Sequence, residues 1–308
     1  MINVMIREVG LRDGLQMLPT VMTTADKLDW IFSEFACGVM EFEASSFVSA
    51  KLVPQLSDAA EVCAHALKMS GLTVSALAPN LKGAEFGIAA GVDKINFVIS
   101  VSEEHNQANV RRSVEQSVLE FARVAELLKA TKGHRPLLVA GLATSFGCTI
   151  SGRVLEGNVR KLAISLVKLG ADELIIADTV GYADPASIRS VFTSLRADLG
   201  DAIPIAAHLH DTRGLGLANA LAALEGGVRA FDSSLGGLGG CPNSPGATGN
   251  VPTEDLVFMC ESMGLRTGID LPRLLQVRSK LKHQLPDAPF AGSIARAGLP
   301  KGWDRASH

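Results

Sequence analysis

Two histidines one residue apart, His208 and His210, end the apolar run Ile203–Pro204–Ile205–Ala206–Ala207 and precede the turn-prone Asp211–Thr212–Arg213–Gly214. On an extended strand residues i and i+2 face the same side, so both imidazoles point into one region. A converging pair of neutral imidazoles suits a first-row divalent metal. The plainer reading, one core histidine and one surface histidine, is disfavoured by the apolar run before the pair and the turn after it. A second polar pair, Arg12–Asp13, follows the segment VMIREV (4–9). It reads either as a surface ion pair or as part of a site. Glu8 adds weight to the second reading, because a carboxylate inside an apolar strand demands a partner or a metal.

The run Gly236–Gly237–Leu238–Gly239–Gly240–Cys241–Pro242–Asn243–Ser244–Pro245–Gly246–Ala247–Thr248–Gly249–Asn250 has three readings. It is a plain surface loop, a phosphate cradle built from glycine N–H groups, or a lid that carries the Cys241 thiol to a site and away again. The cradle lacks the Lys–Ser/Thr ending of a P-loop. Asn250, just ahead of Thr253–Glu254–Asp255, is able to offer an amide oxygen to a metal, and Glu254 to orient the ligands from behind. One carboxylate (Asp13), two imidazoles (His208, His210) and one amide oxygen (Asn250) make a mixed N/O set without thiolate. Such a set favours Mg²⁺ or Mn²⁺, admits Zn²⁺ or Co²⁺, and does not describe a structural zinc site.

Something must bring residues 13, 208, 210 and 250 together, and the periodicity says what. Eight apolar segments read as strands, at 4–9, 39–45, 73–79, 94–100, 137–143, 173–179, 205–211 and 230–235, with helical patterns between them. The longest helical patterns run from Asn109 to Leu128 and from Val154 to Leu169. Gly38, Gly71, Gly91, Gly170 and Gly227 stand where helices end before the next strand, the left-handed cap position. Eight strand–helix units with short connections predict an α/β fold, a single TIM (β/α)₈ barrel, over residues 1–285. The stretch 286–308, rich in Pro, Gly and small residues, reads as a partly ordered C-terminal tail. In such a barrel, chemistry belongs at the carboxyl ends of the strands, which is where the polar pairs fall.

Composition removes other classes. The 29 basic and 32 acidic residues of the 308 nearly cancel and form no basic stripe, so nucleic acid is not an expected partner. No apolar run reaches the length of a membrane span. The start of the chain shows no charged and then apolar leader, and the five cysteines show no paired spacing, which fits a cytoplasmic protein. Cys37, Cys63 and Cys260 lie in apolar helical patterns and read as core residues.

The motifs together resemble the 3-hydroxy-3-methylglutaryl-CoA lyase family, within the metal-dependent lyase and Claisen-condensing TIM-barrel group. The stretches that carry the resemblance are EVGLRDGLQ at the start, EASSFVSAKLVPQ (43–55), APNLKG (78–83), HLHDTRGLGLANALAALEGGV (208–228) and SSLGGLGGCPNSPGATGNVPTEDLV (233–257). The resemblance implies metal ligands at Asp13, His208, His210 and Asn250, a catalytic arginine at Arg12, and a mobile-loop cysteine at Cys241. It implies substrate contacts at Gln16, Glu43, Asp178 and Thr179. The implied reaction is a retro-Claisen cleavage of an acyl-CoA, giving acetyl-CoA and acetoacetate, with His208 or Asp13 as the base. A homo-oligomer, dimer or higher, is also implied.

Two places depart from the family pattern: Arg213–Gly214–Leu215 after the HDT motif, and Thr144–Ser145–Phe146–Gly147–Cys148 after strand five. They leave open another 3-hydroxyacyl-CoA, such as citramalyl-CoA or a longer-branched 3-hydroxyglutaryl-CoA. A condensing synthase of the isopropylmalate or homocitrate type is the lesser alternative. The short stretch after the barrel and the CPNSPGATGN loop weigh against it.

Overall fold

The computed structural model describes residues 2–240 and 249–303. Eight parallel strands close on themselves in sequence order: β1 (Met5–Glu8), β2 (Glu41–Ser46), β3 (Thr73–Leu77), β4 (Lys94–Ser100), β5 (Leu137–Ala143), β6 (Glu173–Asp178), β7 (Ile205–Leu209) and β8 (Ala230–Ser233). All eight predicted strands are present, and the fold is the expected TIM barrel. The helices α1 (Thr24–Phe35), α2 (Ala59–Ala66) and α3 (Leu81–Ala90) follow the first three strands. After β4 come α4 (Glu103–Val110) and α5 (Val114–Ala130), then α6 (Glu156–Leu169), α7 (Pro185–Leu199) and α8 (Gly216–Glu225) after β5, β6 and β7. After β8 come α9 (Thr253–Ser262), α10 (Leu271–Gln284) and the single turn α11 (Ile294–Ala297).

One predicted helix is shorter than expected. Asn109 belongs to α4, and the chain breaks at Arg111, whose φ of 55° is left-handed. Ser113 then restarts the helix with a capping box, its hydroxyl accepting from Gln116 N while the Gln116 side chain accepts from Ser113 N. That local satisfaction of two orphan donors outweighs the periodicity that runs through the break. Helix α6 ends as predicted on Gly170, at φ 110°, a conformation in which a Cβ would be strained.

Apolar side chains between the strands and helices form the main core. Phe97 of β4 packs edge-on against Phe121 of α5 at 5.7 Å, a contact worth about 0.5–1.5 kcal/mol beyond area burial. Cys37, Cys63 and Cys260 are buried in this layer, as expected. The interior of the barrel differs. Register partners across a parallel sheet share a face, and one row runs through Arg7, Asp232 and His208. Among the described residues, only a small apolar group, Val139, Ile175 and Ala206, lies apart from the main core. Around it, Lys94 Nζ bonds Glu41 at 2.7 Å and Glu173 at 2.9 Å, while Arg7 pairs with Glu41 at 3.3 Å and with Glu173. The inner filling is therefore ionic where many barrels use Val, Ile and Leu.

The stretch beyond Leu285 packs on α9 as far as Trp303. Asp255 accepts from Ser293 N and Ile294 N at 2.7 and 2.8 Å, and Trp303 lies 6.2 Å from the Phe258 ring. No helix among the described residues is long and apolar enough to cross a membrane.

Candidate active site

The chain leaves β1 through a five-residue π turn, Gly10–Gly14. Such turns are rare and cluster at functional sites. This one lifts Arg12 and Asp13 to the mouth of the barrel, and Glu8 holds it from behind. Glu8 is wholly buried, and its carboxylate accepts from Gly10 N at 2.7 Å, Leu235 N at 3.0 Å and the Thr253 hydroxyl at 2.9 Å. Glu8 therefore answers the demand for a partner with backbone and hydroxyl donors, not with a metal. Through them it ties the Asp13 turn to the exit of β8 and the start of α9.

His208 lies on β7 and His210 just past its end, where a single antiparallel bridge pairs it with Asn250. Two further bonds, Asp211 N to Gly249 O at 3.1 Å and Val251 N to Leu209 O at 3.0 Å, seat the Asn250 segment on the strand. Asp13, His208, His210 and Asn250 thus meet, all buried. One donor atom from each of Asp13, His208 and His210 falls within 4.8 Å of the others. The Asn250 amide nitrogen donates to Asp13 Oδ2 at 2.7 Å and to Leu238 O at 2.9 Å. Its Oδ1 is buried without a hydrogen-bond donor, an expensive state for an amide oxygen.

Arg12 bridges two carboxylates: Nη1 bonds Asp13 at 2.6 Å and Nε bonds Glu43 at 2.5 Å. Gln16 donates to Asp13 Oδ1 at 2.9 Å. Asn96 of β4 donates to the other oxygen of Glu43 at 2.9 Å. Burial alone would raise the Asp13 carboxyl, but Arg12, the two imidazoles and the Asn250 amide hold it below the usual range. For Glu43 burial wins over Arg12, and its carboxyl is pushed up. For His208, burial would lower the imidazole, and the hydrogen bond and charge of Asp232, with Asp13 behind it, shift it upward instead.

Asp178 and Thr179, at the end of β6, are spent on the backbone. Asp178 accepts from Tyr182 N at 2.8 Å and Ala183 N at 3.2 Å, and burial lifts its carboxyl to about 6. Thr179 Oγ1 accepts from Thr144 N at 2.8 Å. Arg213 caps Val180 O and Gly181 O, both at 3.0 Å, and lies 4.4 Å over the Tyr182 ring. Phe146 is half-buried and packs against the main core. Cys241 lies outside the described residues.

Sequence reading missed Asp232 and Asn96. Asp232 Oδ2 lies 3.2 Å from His208 Nδ1, and both residues are buried. The signal available was a charged or amide side chain interrupting an apolar strand, in AFDSS and KINFVIS. It was read at Glu8 and not at Arg7, Lys94, Asn96 or Asp232.

A closed parallel eight-stranded barrel with a carboxylate–imidazole cluster and an arginine at the carboxyl ends of its strands is the build of a TIM-barrel enzyme. The chain belongs to the HMGL-like family, whose profile matches residues 3–281. It is 39% identical over 284 residues to the hydroxymethylglutaryl-CoA lyase YngG of Bacillus subtilis, covering 92% of this chain and 93% of that one. It is 36% identical over 307 residues to the (R)-citramalyl-CoA lyase of Chloroflexus aurantiacus, covering 96% and 95%. The structure of an HMG-CoA lyase from A. baumannii, in complex with coenzyme A and 3-methylmalate, superposes with a TM-score of 0.91 at 39% identity over 98% of this chain and 97% of that one. The class of activity is that of a carbon–carbon lyase.

Proposed function

We propose that this enzyme cleaves 3-hydroxy-3-methylglutaryl-CoA to acetyl-CoA and acetoacetate, with a divalent cation held by Asp13, His208, His210 and Asn250. The observation that carries the metal is the donor set itself: three groups with converging donor atoms and, beside them, a buried amide oxygen with no donor of its own. Charge supports it. Two ion-pair clusters, joined through His208 and His210, hold three buried cations, Arg7, Arg12 and Lys94, against five carboxyl groups, Asp13, Glu41, Glu43, Glu173 and Asp232. With these carboxyls ionised and both imidazoles neutral, the two negative charges in excess match a divalent ion. An N/O donor set without thiolate favours Mg²⁺ or Mn²⁺.

Bound there, such an ion supplies Lewis acidity, which acidifies a substrate hydroxyl and polarises carbonyl oxygens. The protein's own groups do the rest. The C3 hydroxyl proton passes to Asp13, whose carboxylate keeps a free lone pair while His208 lends Nε2 to the ion, as the C2–C3 bond breaks, and C3 becomes the ketone of acetoacetate. The bonding pair moves onto C2 and the thioester oxygen. Arg12, fixed by Glu43 and Asp13, stabilises that charge. A proton then returns to C2 to complete acetyl-CoA, with Cys241 as the proposed donor. Gln16 and Glu43 hold Asp13 and Arg12 in register for the step. Asp178 and Thr179 shape the rim.

A second acyl substrate, citramalyl-CoA, is supported by the 36% identity over 307 residues to the (R)-citramalyl-CoA lyase of Chloroflexus aurantiacus. The test incubates the purified enzyme with Mg²⁺ and a panel of 3-hydroxyacyl-CoA esters and identifies products by mass. Acetyl-CoA with acetoacetate from the methylglutaryl ester is expected. Acetyl-CoA with pyruvate, from citramalyl-CoA alone, would move the assignment to the second substrate.

A further inference from the structure

The closure of the barrel sets three side chains in a row on adjacent strands. Arg7 of β1 is in register with Asp232 of β8, and Asp232 with His208 of β7. Asp232 is 5% exposed. Its two oxygens are divided between the neighbours: Oδ2 lies 3.2 Å from His208 Nδ1, and Oδ1 lies 3.8 Å from Arg7 Nη1. The opposite nitrogen of His208, Nε2, faces His210 Nε2 at 3.1 Å, on the side of Asp13.

A neutral imidazole has one N–H and one lone pair, and a hydrogen bond at one nitrogen decides which is which. A carboxylate accepts only, so Asp232 selects the tautomer with the proton on Nδ1. The Nε2 lone pair is then left for the cluster. Without an acceptor at Nδ1 the proton is shared between the two nitrogens, and only one of the two forms presents Nε2 as a ligand.

We propose that Asp232 is a positioning residue for the metal site: it fixes the His208 tautomer and ring plane, and Arg7 holds Asp232 in place from the far side. This inference rests on the metal reading above. The competing explanation is that Asp232 merely neutralises Arg7. The distances favour positioning, because Arg7 has closer partners in Glu41 and Glu173 and Asp232 lies nearer to His208 than to Arg7. Arg7 and Lys94, pinned by Glu41 and Glu173, give Asp232 a rigid base built from β1, β2, β4 and β6. Carboxylate–histidine–metal arrangements of this kind are worth about 10- to 100-fold in metal affinity.

The test compares wild type, Asp232→Asn and His210→Ala for Mn²⁺ affinity by electron paramagnetic resonance, with circular dichroism melts as a folding control. Long-range ¹H–¹⁵N spectra of histidine-labelled, metal-free protein report the tautomer, with His208 assigned from a His208→Gln variant. The expected result is a cooperative melt for Asp232→Asn, Mn²⁺ binding weakened about 10- to 100-fold, and a His208 proton that moves from Nδ1 to a mixture. Affinity within twofold of wild type and an unchanged ¹⁵N pattern in Asp232→Asn, while His210→Ala loses Mn²⁺, overturns the inference and leaves the metal reading standing. Wild type that takes up no Mn²⁺ overturns both. Should Asp232→Asn fail to fold, the wild-type spectrum decides: a proton on Nε2 of His208 overturns the proposal, and one on Nδ1 supports it.

Discussion

The Nε2 atoms of His208 and His210 lie 3.1 Å apart. That spacing suits a hydrogen bond if one ring donates to the other, and it equally suits two lone pairs aimed at one cation. Asp13 Oδ2, 3.8 Å from His210 Nε2, favours the cation. His210→Ala is expected to lose bound metal and activity together, as read by elemental analysis after dialysis and by thioester turnover. An active His210→Ala enzyme with its metal retained would sink the four-ligand arrangement.

Gly239 sets a second limit on the same site. Its φ is +138°, and an added Cβ would stand 2.9 Å from Asp13 Oδ2 and closer still to the Asn250 amide nitrogen. Gly239→Ala should push Asn250 off Asp13. We expect Mn²⁺ affinity to fall at least about tenfold, while overpacking of about 1–3 kcal/mol lowers the melting temperature by a few degrees. Unchanged affinity would mean that Asn250 and Asp13 can shift apart without harm to the site.

Arg12 carries the charge that Lys replaces least well, because one guanidinium bonds two carboxylates through separate nitrogens. Arg12→Lys should lower kcat by about 10²–10³, the size of effect seen when an oxyanion donor is removed, with little change in metal content. If metal content drops with activity, the main task of Arg12 is to hold Asp13.

Behind the π turn, the wholly buried Glu34 feels the charge of the equally buried Glu8, and Trp30 Nε1 donates to Glu34. Burial lifts Glu8 to about 7 and Glu34 well above the usual carboxyl range, with the Glu8 charge adding to the latter. The ordinary glutamate value is about 4.3. The folded chain therefore keeps these protons at pH values where the unfolded chain has lost them. This stability is fully present below about 4.3 and is lost as pH rises through the folded-state values. Glu34→Gln stays neutral at every pH and keeps the volume of the side chain. Its melting temperature relative to wild type should rise between pH 5 and pH 8.5, by about 2–4 °C for each kcal/mol relieved. A constant difference across that range would show that Glu34 holds no such proton.

Much of this was legible in one dimension. The strand ends carrying Arg12–Asp13 and His208–His210 are local patterns, and alternation on a strand is enough to aim both imidazoles one way. The motif match carried Gln16, Glu43 and Asn250 to the same place. Asp178 and Thr179 were legible as rim residues, but not their engagement with the backbone. That depends on how the β6–α7 turn closes onto Tyr182, Ala183 and Thr144.

By itself the sequence determined the eight strands, a few of the helix ends and the polar residues at the barrel mouth, because each rests on interactions within a few residues. It did not determine which side of a doubly covered strand faces inward. Arg7 and Glu8 are neighbours in an otherwise apolar segment, and either could have turned to the barrel interior. Only the closure of β1 on β8 decided it. The register sends Arg7 inward to Asp232 and His208, and sends Glu8 outward to Gly10, Leu235 and Thr253. That register joins residues more than two hundred positions apart, and no local pattern encodes it.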